Sequence, residues 1–234
     1  MFSIVKRSRL SFKAPQFKCD DCISDKIAEP LPSKAAFLCI SGSAGSGKTS
    51  LMLNLLTDKH AYRKAFQSVH VVMPPHSIAS LKNNIFKRHD KVYDELDWDT
   101  LEKISERVKK DAEDDYNSLL ILDDVTTSLK NLDVQRQLSD LIKNRRHYNL
   151  TIWLLVQTYN AIPLNVRKTI SHLVLFRPRN QSEFRNVSEE LLFYDRQDAE
   201  ILKKYVYDSA YNFLFADVDK GVVYKNFDML EKHA

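Results

Sequence analysis

The sequence predicts an α/β fold, in which a mostly parallel β-sheet is flanked by helices and followed by a C-terminal β-hairpin. One observation is a glycine-rich segment, Gly42–Thr49, that lies between an apolar run suited to a buried strand and a helical pattern. A second is that further apolar runs of strand length alternate with longer charged stretches, as parallel sheets require. These runs are Val69–Met73, Ser118–Leu122, Leu150–Val156 and His172–Phe176.

The size and composition of the chain are those of a soluble globular protein. It has 234 residues, of which 44% are hydrophobic and 28% charged, enough to bury a core within one domain. We expect residues 35–234 to form this domain and residues 1–34, which hold three prolines, to form a basic N-terminal arm or packing segment. No stretch approaches the ~20 apolar residues of a membrane span, and Met1–Leu10 lacks the apolar core of a secretory signal. The chain is therefore expected to be soluble and intracellular.

The cysteines do not predict a structural zinc site. Cys19 and Cys22 have the C-x-x-C spacing, but such a site usually needs a second pair of ligands, which this sequence lacks. Cys39 lies in the first apolar run, Ala36–Ile40, and is expected to be a small buried residue.

The glycine-rich segment matches the phosphate-binding pattern G-x-x-x-x-G-K-[ST], and it holds three of the four glycines in the chain. A strand, this loop and the helix that follows at Ser50–Leu56 aim backbone N–H groups and a helix dipole at one anion. Lys48 is expected to reach the β- and γ-phosphates of ATP, and Thr49 to place its hydroxyl on Mg²⁺. The nucleotide-binding residues predicted in this way are Ser43, Ala44, Gly45, Ser46, Gly47, Lys48, Thr49 and Ser50.

The segment after the second apolar run is predicted to be largely helical. Pro74 and Pro75 end that strand, because proline cannot continue its hydrogen bonding. Residues 76–117 are strongly charged, and a helix over Thr100–Tyr116 carries one apolar stripe that we expect to cover the sheet. The stripe consists of Leu101, Ile104 and Val108.

The third apolar run ends in two carboxylates, Asp123 and Asp124, which is the form of a Walker B motif. At the tip of its strand, Asp123 can hold the hydration shell of Mg²⁺ opposite Thr49. Asp124 is expected to point toward the attacking water and to act as the base. It is one methylene shorter than the glutamate more often found in this role.

The fourth apolar run ends at Gln157. If its strand inserts between the glycine-loop strand and the Walker B strand, Gln157 lies beside the γ-phosphate and can sense hydrolysis through its amide. The alternative is an ordinary polar residue at a strand end. The chain then closes with a predicted hairpin, Tyr211–Ala216 and Val222–Asn226, whose loop contains Gly221.

These motifs, in this order, resemble the poxvirus-type genome-packaging ATPases. That family belongs to the FtsK-HerA group of P-loop ATPases with an additional strand, found in nucleocytoplasmic large DNA viruses and virophages. The similarity covers about residues 35–180 and includes the segment Asn144–Asn149, in which the Arg-His pair of the family matches Arg146 and His147. The resemblance implies a RecA-like or FtsK-HerA-like fold and a Mg²⁺-dependent ATPase that threads double-stranded DNA into a capsid.

The resemblance also implies partners and a location. Such motors usually work as homo-oligomeric rings, here a pentamer or a hexamer, and a capsid vertex or membrane protein is a further expected partner. The implied location is the host cytoplasm or viral factory, with association to the virion. Contact with DNA is expected to be independent of base sequence.

Arg146 is the candidate for an arginine finger, donated to the nucleotide of a neighbouring subunit. Such a residue offsets the charge of the phosphoryl-transfer transition state. Arg145 is the first alternative, followed by Arg167 and Arg177, and a site without a finger is another.

Basic residues are clustered in two segments that are candidates for contact with DNA phosphates. The first is Lys6–Lys18, and the second runs from Lys143 to Arg185 with Glu183 as its single acid. The alternative is that these basic residues are ordinary solvated surface residues without a DNA partner.

A P-loop nucleotide or nucleoside kinase is the alternative function, because the length and the glycine motif fit it as well. The two acids Asp123 and Asp124 and the terminal Gln157 favour the ATPase, since a kinase transfers phosphate to a bound acceptor rather than to activated water.

Overall fold

The computed structural model describes residues 21–79, 81, 85–86 and 91–231. The strands within this part of the chain are β1 (Phe37–Ser41), β2 (Ser68–Val72), β3 (Val92–Tyr93), β4 (Ser118–Asp123), β5 (Leu150–Val156), β6 (His172–Phe176), β7 (Phe213–Asp217), β8 (Val222–Lys225) and β9 (Asp228–Leu230). The α-helices are α1 (Lys48–Thr57), α2 (Pro75–Ala79), α3 (Trp98–Glu113), α4 (Leu132–Asn144), α5 (Leu164–Arg167), α6 (Gln181–Val187) and α7 (Arg196–Val206). Short 3₁₀ or π segments in the same part of the chain are Ser128–Lys130, Tyr159–Ala161 and Ser188–Leu192.

The described strands form one sheet in the order β3-β2-β4-β5-β1-β6-β7-β8-β9. Strands from β3 to β6 in this order are parallel, and β7, β8 and β9 continue the sheet in antiparallel pairs. The predicted fold class is confirmed. β5 pairs with both β1 and β4, so the fourth apolar run is inserted between the glycine-loop strand and the Walker B strand, the condition set for a role of Gln157 beside the γ-phosphate.

Both faces of the sheet are covered by apolar side chains that alternate along each strand. In β1, Phe37 and Cys39 join the core formed with α3, α4, α6 and α7. Leu38 and Ile40 join the opposite core, which includes Met52 of α1. Each large apolar side chain buried in this way contributes roughly 1.5–3 kcal/mol. Because both faces are covered, the central strands are uniformly apolar rather than alternating in polarity.

Helix α3 confirms the predicted apolar stripe. Leu101, Ile104 and Val108 are fully buried and belong to the same core as the residues of α4. The helix begins after Asp97, whose carboxylate accepts a hydrogen bond from the backbone N–H of Thr100 at 2.8 Å. It therefore begins two residues earlier than predicted and ends at Glu113.

Two short strands at the sheet edges were not predicted. Val92–Tyr93 lies within the segment 76–117 that the sequence predicts to be largely helical, and Asp228–Leu230 extends the C-terminal hairpin. Their lengths of 2 and 3 residues are too short to show a periodic pattern. They form because a neighbouring edge strand offers unpaired backbone groups.

Residues 21–34 pack against the connection that follows α1. Ile23 and Ile27 lie in the core on the α1 side, and the Tyr62 hydroxyl donates a hydrogen bond to the Pro32 carbonyl at 2.8 Å. The basic cluster Lys6–Lys18 and Cys19 lie outside the described residues. The boundary at residue 34 stays a prediction. Among the described residues, no helix has the length and apolar composition needed to cross a membrane.

Candidate nucleotide-binding site

The glycine loop connects the buried strand β1 to helix α1 at the carboxyl edge of the parallel strands. Gly45 and Gly47 have φ values of 76° and 106°, in the left-handed region that glycine adopts without steric cost. A Cβ atom at Gly42 would lie 2.6 Å from the Ser46 Oγ and 2.8 Å from the Phe176 Cβ, so a larger residue would displace the loop. The glycines therefore determine the shape of this loop.

The first turn of α1 presents backbone donors at the end of the loop. Its first residues are Lys48, Thr49 and Ser50, and no side chain caps the helix at Gly47. The N–H groups of a first helical turn have no partners within the helix, and the helix dipole makes this end positive. An anionic group is the natural partner for such an end.

Lys48 is held inside the loop. Its Nζ donates hydrogen bonds to the backbone oxygens of Gly42 and Ser43, the latter at 3.1 Å. Partial burial lowers the pKa of Lys48, while the charges of Asp123 and Asp124 act in the opposite direction. The ammonium group is thus already placed among the loop carbonyls and near the carboxylates at the end of β4.

The two Walker B carboxylates have different environments. Asp123, at the end of β4, is 9% exposed, and burial raises its pKa to about 6 although the charge of Lys48 opposes this shift. The negative charge of Asp124 adds to the rise. Asp124 itself is exposed and has a φ of 55°, a left-handed conformation that aspartate tolerates better than most residues. One carboxylate is therefore partly desolvated, and its neighbour reaches solvent.

Gln157 follows the last residue of β5 and is exposed to solvent. Its strand lies between β1, which leads into the glycine loop, and β4, which ends at the two aspartates. In the sheet register, Val156 lies beside Ser41 of β1, and Leu155 lies beside Asp123 of β4. The N–H of Gly42 donates to the carbonyl of Val156 at 3.1 Å, which ties the start of the glycine loop to the end of β5. The structure thus brings the glycine loop, the two aspartates and Gln157 to the same edge of three adjacent strands.

Arg145 and Arg146 lie at the opposite edge of the sheet. They belong to the turn between α4 and β5, and the N–H of Leu150 donates to the Arg145 carbonyl at 2.8 Å. β5 has seven residues, and a rise of about 3.3 Å per residue puts roughly 20 Å between its two ends. Neither arginine is brought to the glycine loop of its own chain. Arg146 is exposed, whereas burial lowers the pKa of Arg145, with the charge of Asp219 opposing.

The two other arginine candidates make contacts within the chain. The Nη1 of Arg167 lies 3.4 Å from the Glu190 Oε1, and its guanidinium lies over the ring of Tyr159. Arg177 donates a hydrogen bond to the Tyr207 carbonyl. The predicted basic segment from Lys143 to Arg185 is therefore not one surface patch, because Arg145 and Arg146 lie at one sheet edge and Arg177 and Arg179, after β6, at the other.

Glu183 is a buried carboxylate that connects two parts of the site and that the sequence did not single out as functional. It is 4% exposed, and its Oε1 accepts hydrogen bonds from the Ser41 hydroxyl at 3.0 Å and the Tyr159 N–H at 2.6 Å. Ser41 precedes the glycine loop, and Tyr159 comes two residues after Gln157. In the sequence, Glu183 stands out only as a lone acid within a basic segment. That feature does not reveal its hydrogen bonds to Ser41 and Tyr159.

Aromatic side chains form one wall of a cavity of about 570 Å³ beside the glycine loop. They are Phe176 at the end of β6, Tyr211 shortly before β7, and Phe213, the first residue of β7. The remaining wall consists of the glycine loop and the first turns of α1. These aromatic residues also went unnoticed in the sequence, since they lie well over a hundred positions away from the loop.

The buried position predicted for Cys39 is confirmed. Cys39 is fully buried, and burial raises the pKa of its thiol. Cys22 is exposed, with its Sγ 3.9 Å from the Ser33 Oγ. Within the described ranges, no group of three or more His, Cys, Asp and Glu side chains is arranged to hold a metal ion.

Comparisons with known proteins point to one family. The sequence model of the family described as Poxvirus A32 protein matches residues 28–228. The chain is 29% identical over 153 residues to the uncharacterized protein 075L of Invertebrate iridescent virus 6, covering 64% of this chain and 57% of that protein. It is 27% identical over 172 residues to the DNA packaging protein OPG160 of Variola virus, covering 67% of this chain and 59% of that protein. The chain thus spans less than two thirds of the length of these relatives.

A solved structure has the same fold. The genome packaging NTPase B204 of Sulfolobus turreted icosahedral virus 2, in complex with ATP-gammaS, matches with a TM-score of 0.65 and 20% identity. The match covers 83% of this chain and 98% of that one. At this level of identity, the similarity supports the fold alone.

Proposed function

The chain belongs to the Poxvirus A32 protein family, and we propose that it is an ATPase that drives the packaging of double-stranded viral DNA into a capsid. The observation that carries this proposal is the order β4-β5-β1, which groups Asp123, Asp124 and Gln157 with the glycine loop. One relative is named a DNA packaging protein, which agrees with this proposal.

The glycine loop would hold the triphosphate of ATP. The N–H groups at the start of α1 supply donors, and Lys48 would exchange its bonds to the Gly42 and Ser43 carbonyls for the β- and γ-phosphates. This exchange needs no large movement, because the ammonium group already lies inside the loop.

The residues present suit a magnesium ion. Magnesium commonly binds one or two carboxylates together with substrate phosphates and water. Asp123 is a partly desolvated carboxylate whose pKa is raised to about 6, so a cation beside it would favour its ionised form. The Thr49 hydroxyl on the first turn of α1 would be the second protein ligand. When bound, Mg²⁺ would neutralise charge on the phosphate oxygens.

Asp124 and Gln157 would act on the water that attacks the γ-phosphate. Asp124 is exposed at the end of β4, where it can accept a hydrogen bond from water and orient it. Gln157, on the neighbouring strand, has an amide that can both donate and accept, which suits a residue that responds to the presence of the γ-phosphate.

Arg146 is proposed to act on the nucleotide of a neighbouring subunit in a homo-oligomeric ring of five or six chains. Its distance from its own glycine loop supports a role in trans over one in cis. In a ring, one side of each subunit contacts a different side of the next, so residues remote from the site within one chain can meet it across the interface. Transition-state charge that Lys48 leaves unmatched would be the target of this arginine.

DNA is the proposed polymer substrate, held through its phosphates rather than its bases. The basic residues between Lys143 and Arg185 are divided between the two edges of the sheet, so one DNA segment would not contact all of them. We infer that DNA contacts the basic residues of one edge, or the cluster Lys6–Lys18. A capsid vertex or membrane protein as a partner, and a place in the viral factory or virion, belong to the same proposal.

Measurement of ATP hydrolysis with and without duplex DNA tests the function. We expect duplexes of unrelated sequence to stimulate hydrolysis equally, and stimulation to fall steeply between about 50 and 200 mM salt, as phosphate contacts require. Phosphate transfer to a nucleoside monophosphate, without stimulation by DNA, would instead establish the kinase. Neither the matching family nor the Variola virus relative favours that alternative.

A further inference from the structure

The cavity beside the glycine loop has room for more than a triphosphate. Its volume of about 570 Å³ lies within the range of about 300–1,000 Å³ that is usual for small-molecule sites. One side is polar and belongs to the loop and to α1 as far as Asn54, and the other side is aromatic. A ligand with an anionic end and a flat apolar end matches these two sides.

Phe176 and Phe213 form the fixed part of the aromatic side. They are 3% and 8% exposed, and their ring centroids are 5.3 Å apart with the rings tilted. Phe176 also lies against the loop, since a Cβ atom at Gly47 would be 3.5 Å from its Cε1. These two rings are held by the protein core whether or not a ligand is present.

Tyr211 differs from both of them. It is 72% exposed, and its backbone has a φ of 66° in the left-handed region, which disfavours a bulky residue. The ring nevertheless lies against the loop, because a Cβ atom at Gly47 would be 3.7 Å from the Tyr211 Cδ1. Tyr211 also lines a second cavity of about 390 Å³, which contains Arg177 and Arg179.

We propose that Tyr211 stacks on the purine base of a nucleotide whose triphosphate occupies the glycine loop. This inference rests on the proposed ATPase function and adds a base-binding residue to it. An exposed aromatic ring beside a phosphate site gains burial when a planar base covers it, and aromatic rings offer such a surface to any base. Stacking alone therefore provides affinity without distinguishing adenine from guanine.

Calorimetric titration of the full chain with ATP and, separately, with inorganic tripolyphosphate tests this inference. The variants are Tyr211→Asn, which removes the ring while asparagine tolerates the left-handed backbone, and Tyr211→Phe, which keeps the ring. Tyr116→Asn is the matched control, because Tyr116 is an exposed tyrosine after α3 and does not line the cavity.

We expect Tyr211→Asn to weaken ATP binding roughly 5- to 150-fold, the range for the loss of one base–aromatic stack, and to leave tripolyphosphate binding unchanged. Tyr211→Phe and Tyr116→Asn should bind both ligands like the wild type. Equal weakening of both ligands by Tyr211→Asn would show that the ring only supports the loop, and unchanged ATP binding would show that it does not touch the base. Either result overturns the inference. Failure of the wild-type chain to bind either ligand would instead refute the nucleotide site itself.

Discussion

At the scale of single residues, the two aspartates at the end of β4 show how neighbours in sequence acquire different chemistry. Asp123 is the last residue of β4 and is 9% exposed, so its carboxylate is partly desolvated. Asp124 leaves the ladder in a left-handed conformation and reaches solvent. Sequence reasoning could place both residues at a strand tip, because the apolar run before them is unambiguous. It could not show the raised pKa of Asp123, which depends on burial by the completed fold.

Asp124→Asn should separate nucleotide binding from hydrolysis. The amide keeps the size of the side chain but cannot accept a proton from water, so we expect ATP affinity within about threefold of the wild type and hydrolysis lowered by about 10²–10⁴-fold. Asp115→Asn is a matched control, because Asp115 is exposed and also has a left-handed φ, of 59°. Binding is measured by titration and hydrolysis by phosphate release. Normal turnover by Asp124→Asn would assign the base to another residue.

Asp123 should make Mg²⁺–ATP binding depend on pH. Its pKa is raised to about 6, so the carboxyl group takes up a proton as the pH falls through that value and loses the charge that attracts the cation. We expect the affinity of the wild type to fall between about pH 7 and pH 5 more steeply than that of Asp123→Asn. The protonation of ATP itself affects both measurements equally. The ratio of the two affinities therefore reports only the protonation of Asp123. A constant ratio over this range would contradict the proposed magnesium ligand.

At the scale of elements, strand β5 corresponds to the longest of the predicted apolar strands, and its position in the sheet organises the site. Seven consecutive buried residues fit only the interior of a sheet that is covered on both faces, and the structure places them between β1 and β4. The contacts of the turn after β5 were not predictable. Glu183 of α6 binds both the end of β1 and this turn, and such a contact between distant segments leaves no local pattern.

Glu183 should act as a positioning residue for the end of β5. Glu183→Ala would leave the Tyr159 N–H and the Ser41 hydroxyl without their acceptor, at a cost of about 1–3 kcal/mol for each buried group. We expect lower stability in urea and a reduced kcat, with KM for ATP changed less. Glu183→Gln keeps an acceptor oxygen and should recover most of both properties.

A change in kcat that simply follows the loss of folded protein would show that Glu183 is structural only. The fraction folded, measured by circular dichroism under assay conditions, separates these cases. Glu200→Ala, at an exposed glutamate of α7 whose ion pair with Lys203 is 3.8 Å long, is a suitable control.

At the scale of the whole molecule, the sheet separates the residues that form the nucleotide site from those proposed to act on a neighbour. The glycine loop, Asp123 and Gln157 share the carboxyl edge of the parallel strands, whereas Arg146 lies at the amino edge. The sequence places Arg146 before β5 and Gln157 after it. The length of the strand then implies that Arg146 lies far from the glycine loop of its own chain. The same reasoning accounts for the division of the basic segment, because Arg145 and Arg146 precede β5 whereas Arg177 and Arg179 follow β6, a strand that also runs parallel to β1.

The resemblance inferred from the motifs is confirmed by the family match over residues 28–228. Motif order was sufficient for this result because the phosphate site imposes strict residue types on a few positions. The short edge strands β3 and β9 and the aromatic wall at Tyr211 were missed, because they depend on tertiary contacts that impose no such types.

Arg146 should be required in trans, so that hydrolysis depends on assembly. We expect Arg146→Ala to bind ATP normally but to hydrolyse it about 10³–10⁵-fold more slowly, the range for the loss of an arginine finger. Activity per subunit should rise with protein concentration in the wild type. Arg136→Ala is the control, because Arg136 is an exposed arginine of α4 that pairs with Asp133 on the same helix.

Mixing two inactive variants provides the decisive measurement. Lys48→Ala subunits lack a working loop but keep Arg146, whereas Arg146→Ala subunits keep the loop. In randomly mixed rings, roughly a quarter of the interfaces place an intact loop opposite an intact arginine, since each contact joins two different sides of the subunit. Hydrolysis should therefore recover in the mixture to about that fraction, although neither variant is active alone. If light scattering shows that the two variants assemble together and hydrolysis stays absent, Arg146 acts within its own chain or only maintains the fold.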